Sequence, residues 1–177
     1  MQGNRMLRLG LVMVLATSMA QPPEGIAETA GPLTITVECV ANPECEFVGE
    51  DIELRIRLRN TSTSFIGLPA DYLRKSGPHV QLTDVRNGAN RWLRVGLPRR
   101  QLMDKFTYFG PNEVFELTTT LSHQEIRSFR HDFVDLEVEV AVGSKLKYAD
   151  MEAVPFSESK IFSIAGRDTT ELRKANQ

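Results

Sequence analysis

Cysteine is scarce in this chain: Cys39 and Cys45 are the only two among 177 residues. Histidine is nearly as thin, with three, and none lies closer to the cysteines than His79. The Cys-x5-Cys spacing is not the Cys-x-x-Cys of thioredoxin-like redox centres or zinc knuckles. No His-Glu-x-x-His or His-x-His occurs either, so neither a metal site nor a cofactor is expected. An excess of one charge sign is also missing. The formal net charge is −2, which gives no global attraction to nucleic acid or to an anionic membrane. Gly-x-Gly phosphate loops, a calcium loop of the Asp-x-Asp-x-Asp-Gly type and a Gly-x-Ser-x-Gly elbow are all absent. Acyl transfer needs an activated nucleophile and an oxyanion hole, and without such an elbow a non-enzymatic protein is expected.

The single long apolar run sits at the start. Arg5 and Arg8 form a positive region, Leu9 to Ala16 an apolar one, and Ser18-Met19-Ala20 offers small residues for cleavage before Gln21. The run is shorter than the about 20 residues a membrane-spanning helix needs. Residues 1–20 read as a cleaved secretory signal, with no stable membrane insertion of what remains, and the protein as secreted or periplasmic. Export implies an oxidising compartment, where an isolated cysteine pair is a disulfide. Asn42-Pro43 between the cysteines favours chain reversal. A Cys39–Cys45 bridge would clip that turn and contribute roughly 2 kcal/mol by loop closure.

The remaining chain is patterned for strands. In Asp51 to Arg59, Ile52, Leu54, Ile56 and Leu58 alternate with Glu53, Arg55, Arg57 and Arg59. A period of two places the aliphatics on one face and the charges on the other, as in an antiparallel strand with one wet side. Leu136, Val138 and Val140 repeat this against Asp135, Glu137 and Glu139. Leu33, Ile35, Val37 and Cys39 alternate at the start, which turns Cys39 inward. Weaker strands are expected over 65–68, 79–85, 90–95, 113–120 and 160–165. Asn87-Gly88 between the strands over 79–85 and 90–95 is a hairpin signal, since both residues of a type I′ turn need positive φ. Two helical turns interrupt, over 70–77 and over 122–130, the second opening on the capping box Ser122-x-x-Glu125.

Seven to eight short strands with almost no helix predict an all-β antiparallel sandwich over residues 33–166, a closed barrel being the other architecture. A flexible segment, 21–32, precedes it and a polar tail, 167–177, follows. In strand order and spacing, residues 33 to 165 resemble the immunoglobulin-like or fibronectin-like superfamily. Residues 33–39, 51–59 and 65–68 then stand as its first three strands, and 113–119, 134–142 and 160–164 as its last three. Cys39 and Cys45 are too close together to be that superfamily's inter-sheet pair, and Trp92 falls on the hairpin. The resemblance implies a fold and no site residues.

Several motifs have ordinary readings. Ser157-x-x-Lys160 matches the β-lactamase tetrad, but it precedes a strand, and no Ser-Asp-Asn or Lys-Thr-Gly accompanies it. His131-Asp132 reads as a polar pair opening a strand. Asn60-Thr61-Ser62 is a glycosylation sequon placed after a strand.

Charge layout is more telling. From Arg86 to Lys105 the cations Arg86, Arg91, Arg94, Arg99, Arg100 and Lys105 face one acid, Asp104. With Trp92, Tyr108 and Phe109 nearby, this hairpin and the loop after it are the expected binding surface, because Arg and Trp concentrate at interaction hot spots. The partner is expected to be a protein, with the domain serving as an accessory or inhibitory module, and no nucleic acid is expected. The alternative is a carbohydrate or envelope polymer stacked on Trp92, Tyr108 and Phe109. The basic strand 51–59 and the acidic strand 134–142 would give a sandwich one basic and one acidic outer face.

Overall fold

The computed structural model describes residues 31–129, 133–149 and 151–169. The expected signal segment, nearly all of the expected N-terminal segment, and His131 and Asp132 lie outside these. The described elements run β1 (Leu33–Cys39), β2 (Ile52–Asn60), β3 (Ile66–Leu68), α1 (Ala70–Ser76), β4 (His79–Asp84), β5 (Asn90–Trp92), a 3-10 turn (Arg100–Asp104), β6 (Thr107–Phe109), β7 (Val114–Leu121), α2 (His123–Arg127), β8 (Phe133–Tyr148) and β9 (Val154–Arg167). All strand pairs are antiparallel, in two sheets. The first has the order β1-β2-β7. In the second, β8 is central, with β9 on one edge and β4 then β5 on the other; β3 and β6 join at its far end.

Alternation decides which face each strand buries. Leu54, Ile56 and Leu58 of β2 and Phe115, Leu117 and Leu121 of β7 point inward. Val80 and Leu82 of β4, with Val134 to Val142 at every second position of β8, are buried in the other sheet. The two inner faces form one core, closed from the side by Phe47. At about 25 cal/mol per Å2 of apolar surface, each such buried side chain contributes roughly 1.5–3 kcal/mol before conformational entropy is counted. The protein is thus an antiparallel β-sandwich. The Cys39–Cys45 disulfide is present, with Cys39 buried at the end of β1.

Several sequence expectations need correction. The strand expected over 160–164 runs from Val154 to Arg167, and its partner runs on to Tyr148, as one long ribbon. Of the expected polar tail, 167–177, the described residues 167–169 are tied to the fold. Arg167 belongs to β9, Thr169 N–H donates to Val48 O at 3.2 Å, and Asp168 pairs with Arg127. The Asn87-Gly88 turn is not type I′, because only Gly88 has positive φ. Buried Asp84 governs it instead: its carboxylate accepts Arg86 N–H and the Asn87 amide, which builds a longer connection closed by Asp84 N–H to Ala89 O at 2.8 Å.

The first sheet's outer face is not basic. Arg57 pairs with Glu38 of β1 at 2.9 Å and with Glu116 of β7 at 3.1 Å, and Arg55 reaches Glu116 at 3.4 Å. The strands flanking β2 supply Glu38 and Glu116 at the rows of Arg55 and Arg57, so these charges neutralise one another, while Arg59 donates to Asn112 Oδ1 at 2.9 Å.

Candidate functional site

The expected binding residues do not share one face. Trp92 stands opposite Gln81, whose other neighbour is Glu139, so it lies on the outer face of the second sheet. There it is 57% exposed. The Leu93 N–H donates to Val80 O at 2.9 Å, carrying the pairing one step further and turning exposed Arg94 to the same outer side. Arg91, opposite the inward Leu82, is turned the other way and is exposed at the sheet edge. Arg86 sits at the far end of the hairpin, over the Phe133 ring at 5.7 Å, with Arg167 at 5.9 Å.

Past Trp92 the chain is held in place rather than free. Gly96 N–H donates to Ser76 O at 2.8 Å, and a Cβ added at Gly96 would stand 2.0 Å from Lys75 O, so only glycine fits against the end of α1. Asp104 pairs with Lys145 of β8 at 2.9 Å. Between these two anchors project Leu97, 96% exposed, and exposed Arg99 and Arg100. Lys105 is exposed after them, and Tyr108 of β6 lies with its ring against Gly67, 45% exposed. Phe109 turns inward and packs on Phe115 at 5.6 Å, which leaves Trp92 and Tyr108 of the expected aromatic platform.

The arginines differ in their partners: Arg59 donates to Asn112 Oδ1, and Arg86 and Arg167 lie over the Phe133 ring. Arg55, Arg57, Arg74 and Arg127 each pair with a carboxylate. Arg91, Arg94, Arg99 and Arg100 form no ion pair among the described residues. Sequence reasoning missed Leu97, although an aliphatic residue between Gly96 and Pro98 in an arginine-rich loop is a signal for it.

The residues of the other readings are dispersed. Ser157 and Lys160 sit on β9, where positions three apart take opposite faces, so the lysine cannot serve the serine. His79 is exposed on β4. His123 N–H and Nδ1 both meet Asp51 Oδ1, at 2.8 and 2.7 Å. Those bonds hold the Asp51 carboxyl below its ordinary pKa, the backbone N–H contributing most. A depression of about 490 Å3 beside the disulfide is lined by residues including Val37, Glu38, Glu44, Arg55 and Phe162, and by no histidine. Among the described residues no cluster of three or more His, Cys, Asp or Glu could hold a metal ion, and no helix is long and apolar enough to cross a membrane.

Asn60 is equally plain. It ends β2 at 1% exposure, and its Nδ2 donates to Ser64 O, Phe109 O and Gly110 O at 2.8, 3.1 and 3.1 Å. The sequon nitrogen is therefore built into the fold and inaccessible to modification in the folded chain.

No protein-family model matches the chain, and no curated protein matches it. Among solved structures, a target of the Northeast Structural Genomics Consortium is similar at 14% identity and a TM-score of 0.39, over 75% of this chain and 83% of that one. A β-glucosidase from Listeria innocua in complex with glucose is similar at 13% identity and a TM-score of 0.36, over 76% of this chain but 16% of the enzyme. A protein from Archaeoglobus fulgidus is similar at 14% identity and a TM-score of 0.29, over 74% of this chain and 94% of that one. Likeness at this level carries no function across.

Proposed function

We propose that the protein is an exported, non-enzymatic β-sandwich of immunoglobulin-like kind that binds another protein through the strip from Trp92 to Tyr108. The carrying observation is that Arg94, Arg99 and Arg100 stand exposed close together in one anchored segment, with no carboxylate paired to any of them among the described residues. Leu97 adds an apolar point between them, and the anchors at Gly96 and Asp104 hold the loop in shape before any partner arrives. Such preorganisation lowers the entropy cost of binding. The disulfide and the sequence of residues 1–20 support export. The partner surface is acidic, with an apolar hollow for Leu97.

The test is capture from the envelope and secreted fractions with the purified protein and with an Arg94→Ala, Arg99→Ala, Arg100→Ala variant, each checked for an unchanged thermal melt. A partner recovered with the native protein should bind the variant roughly thirty-fold more weakly, the effect of losing about 2 kcal/mol at a hot spot. Equal affinity overturns the strip as the site. Recovery of no protein overturns the reading.

A further inference from the structure

We propose that the outer face of the second sheet is a docking surface for a second copy of this chain, stacked face to face about a two-fold axis. The partner differs from the one proposed above, and the surface, centred on β8, meets the binding strip at Trp92 and at the Asp104–Lys145 pair. Every second residue of β8 faces outward, the alternate ones being buried from Val134 to Val142 and again at Leu146. Along that outward file stand Asp135, Glu137 and Glu139, then the small Ala141 and Gly143, then Lys145, paired with Asp104, and Lys147, over the Phe106 ring at 5.8 Å. The three carboxylates take part in no ion pair among the described residues. In the first sheet, by contrast, Arg55 and Arg57 pair with the acids of the flanking strands.

A file that is acidic at one end, small in the middle and basic at the other is complementary to itself when reversed. A two-fold axis across the strands near Ala141 lays the acidic half of one β8 over the basic half of the other, twice. The small residues at the axis let the two faces approach there. Such an isologous contact closes as a dimer instead of propagating. Trp92, 57% exposed, and Ile161, 52% exposed, lie on either side of Glu139 in one row and supply apolar contact. The β8–β9 ribbon has fourteen paired positions, about 45 Å at about 3.3 Å each. With β4 alongside, a contact of that length approaches the roughly 800 Å2 per partner of a standard interface. The polar character of the face makes the dimer weak and sensitive to salt.

Sedimentation of the purified chain alone, over a concentration series up to about 1 mM, tests this. A monomer–dimer equilibrium is expected at low salt, weakened at least tenfold by about 0.5 M salt and by Glu137→Lys with Glu139→Lys. Lys145→Glu with Lys147→Glu should weaken it likewise. Each double variant alone repels itself, yet an equimolar mixture of the two should dimerise again, because a file basic everywhere but at Asp135 then meets a wholly acidic one. Lys145 also pairs with Asp104, so Ala141→Arg, which places a long side chain at the axis and breaks no pair, gives a second route to the same loss. A native chain that stays monomeric throughout the series overturns the proposal. So does a dimer indifferent to Glu137→Lys with Glu139→Lys and to Ala141→Arg, or a mixture of folded double variants that fails to associate.

Discussion

Asp51 shows how much one side chain can do where two elements meet. It precedes β2, and its Oδ1 takes both the N–H and the ring nitrogen of His123, the first residue of α2. These bonds favour the carboxylate, so its pKa lies below the ordinary value. A carboxyl that binds its proton more weakly when folded stabilises the fold at every pH above its unfolded pKa of about 3.9. That contribution fades as pH falls through the lower, folded value. Denaturant midpoints measured from about pH 6 down to about pH 2 should fall less steeply for Asp51→Asn than for the native chain. Identical slopes would remove this pair from the acid response. The sequence places Asp51 and Ser122 correctly at the start of a strand and of a helical turn. It could not show their neighbours to be in contact, because 72 residues separate Asp51 from His123.

At the scale of elements, the strands most legible in the sequence are those with one dry and one wet face. β2 and the first half of β8 alternate strictly because each inward position meets the core. The periodicity fades wherever burial does. From Gly143 onward β8 carries Ser144 and Lys145, and Val154 to Ser159 of β9 is exposed or half-buried on both faces, so parity there leaves little trace. β6 is three residues long, too short for any period, and is recruited by pairing with β3. Turn chemistry was misread at Asn87-Gly88 because the controlling group, Asp84, belongs to the strand before the turn. The end of β9 rests on a requirement no pattern reveals. Gly166 has φ of 152°, and a Cβ there would stand 2.1 Å from Phe47 O, within the parallel bridge that draws Phe47 over the core. Gly166→Ala should cost about 2 kcal/mol or more by denaturant titration. Gly143→Ala, with ordinary 3.5 Å contacts, should change stability by less than about 0.5 kcal/mol. Equal effects would mean that Phe47 can move aside at little cost.

At the scale of the molecule, Asn60 fastens one sheet to the other. It is the last residue of β2 in the first sheet, while Phe109 closes β6 in the second, and its side chain spans them with three donated bonds and two accepted from Ser62. Replacing it with Ala removes all of these bonds between the sheets, leaving Gly110 O with Glu113 N–H and Ser64 O with Ser62 Oγ. The expected loss is about 2–4 kcal/mol, and unfolding should remain a single transition by far-UV signal and Trp92 fluorescence, since the sheets share one core. Separate midpoints would show that the sheets unfold independently. The candidate binding strip was legible in outline, because clustered arginines around a tryptophan stand out without a structure. Which of them face one way was not, because that depends on the register of β5 against β4. The Asn60 bracket also bears on how the protein can be made. A cell that attaches sugars to nascent chains reads Asn60-Thr61-Ser62 before β6 exists. A glycan there takes one of the two hydrogens that the finished fold needs and brings a bulky polar branch to a place with no room for it. Each modified chain is then committed to misfolding before it leaves the ribosome, so yield in a glycosylating host depends on how many escape the transferase.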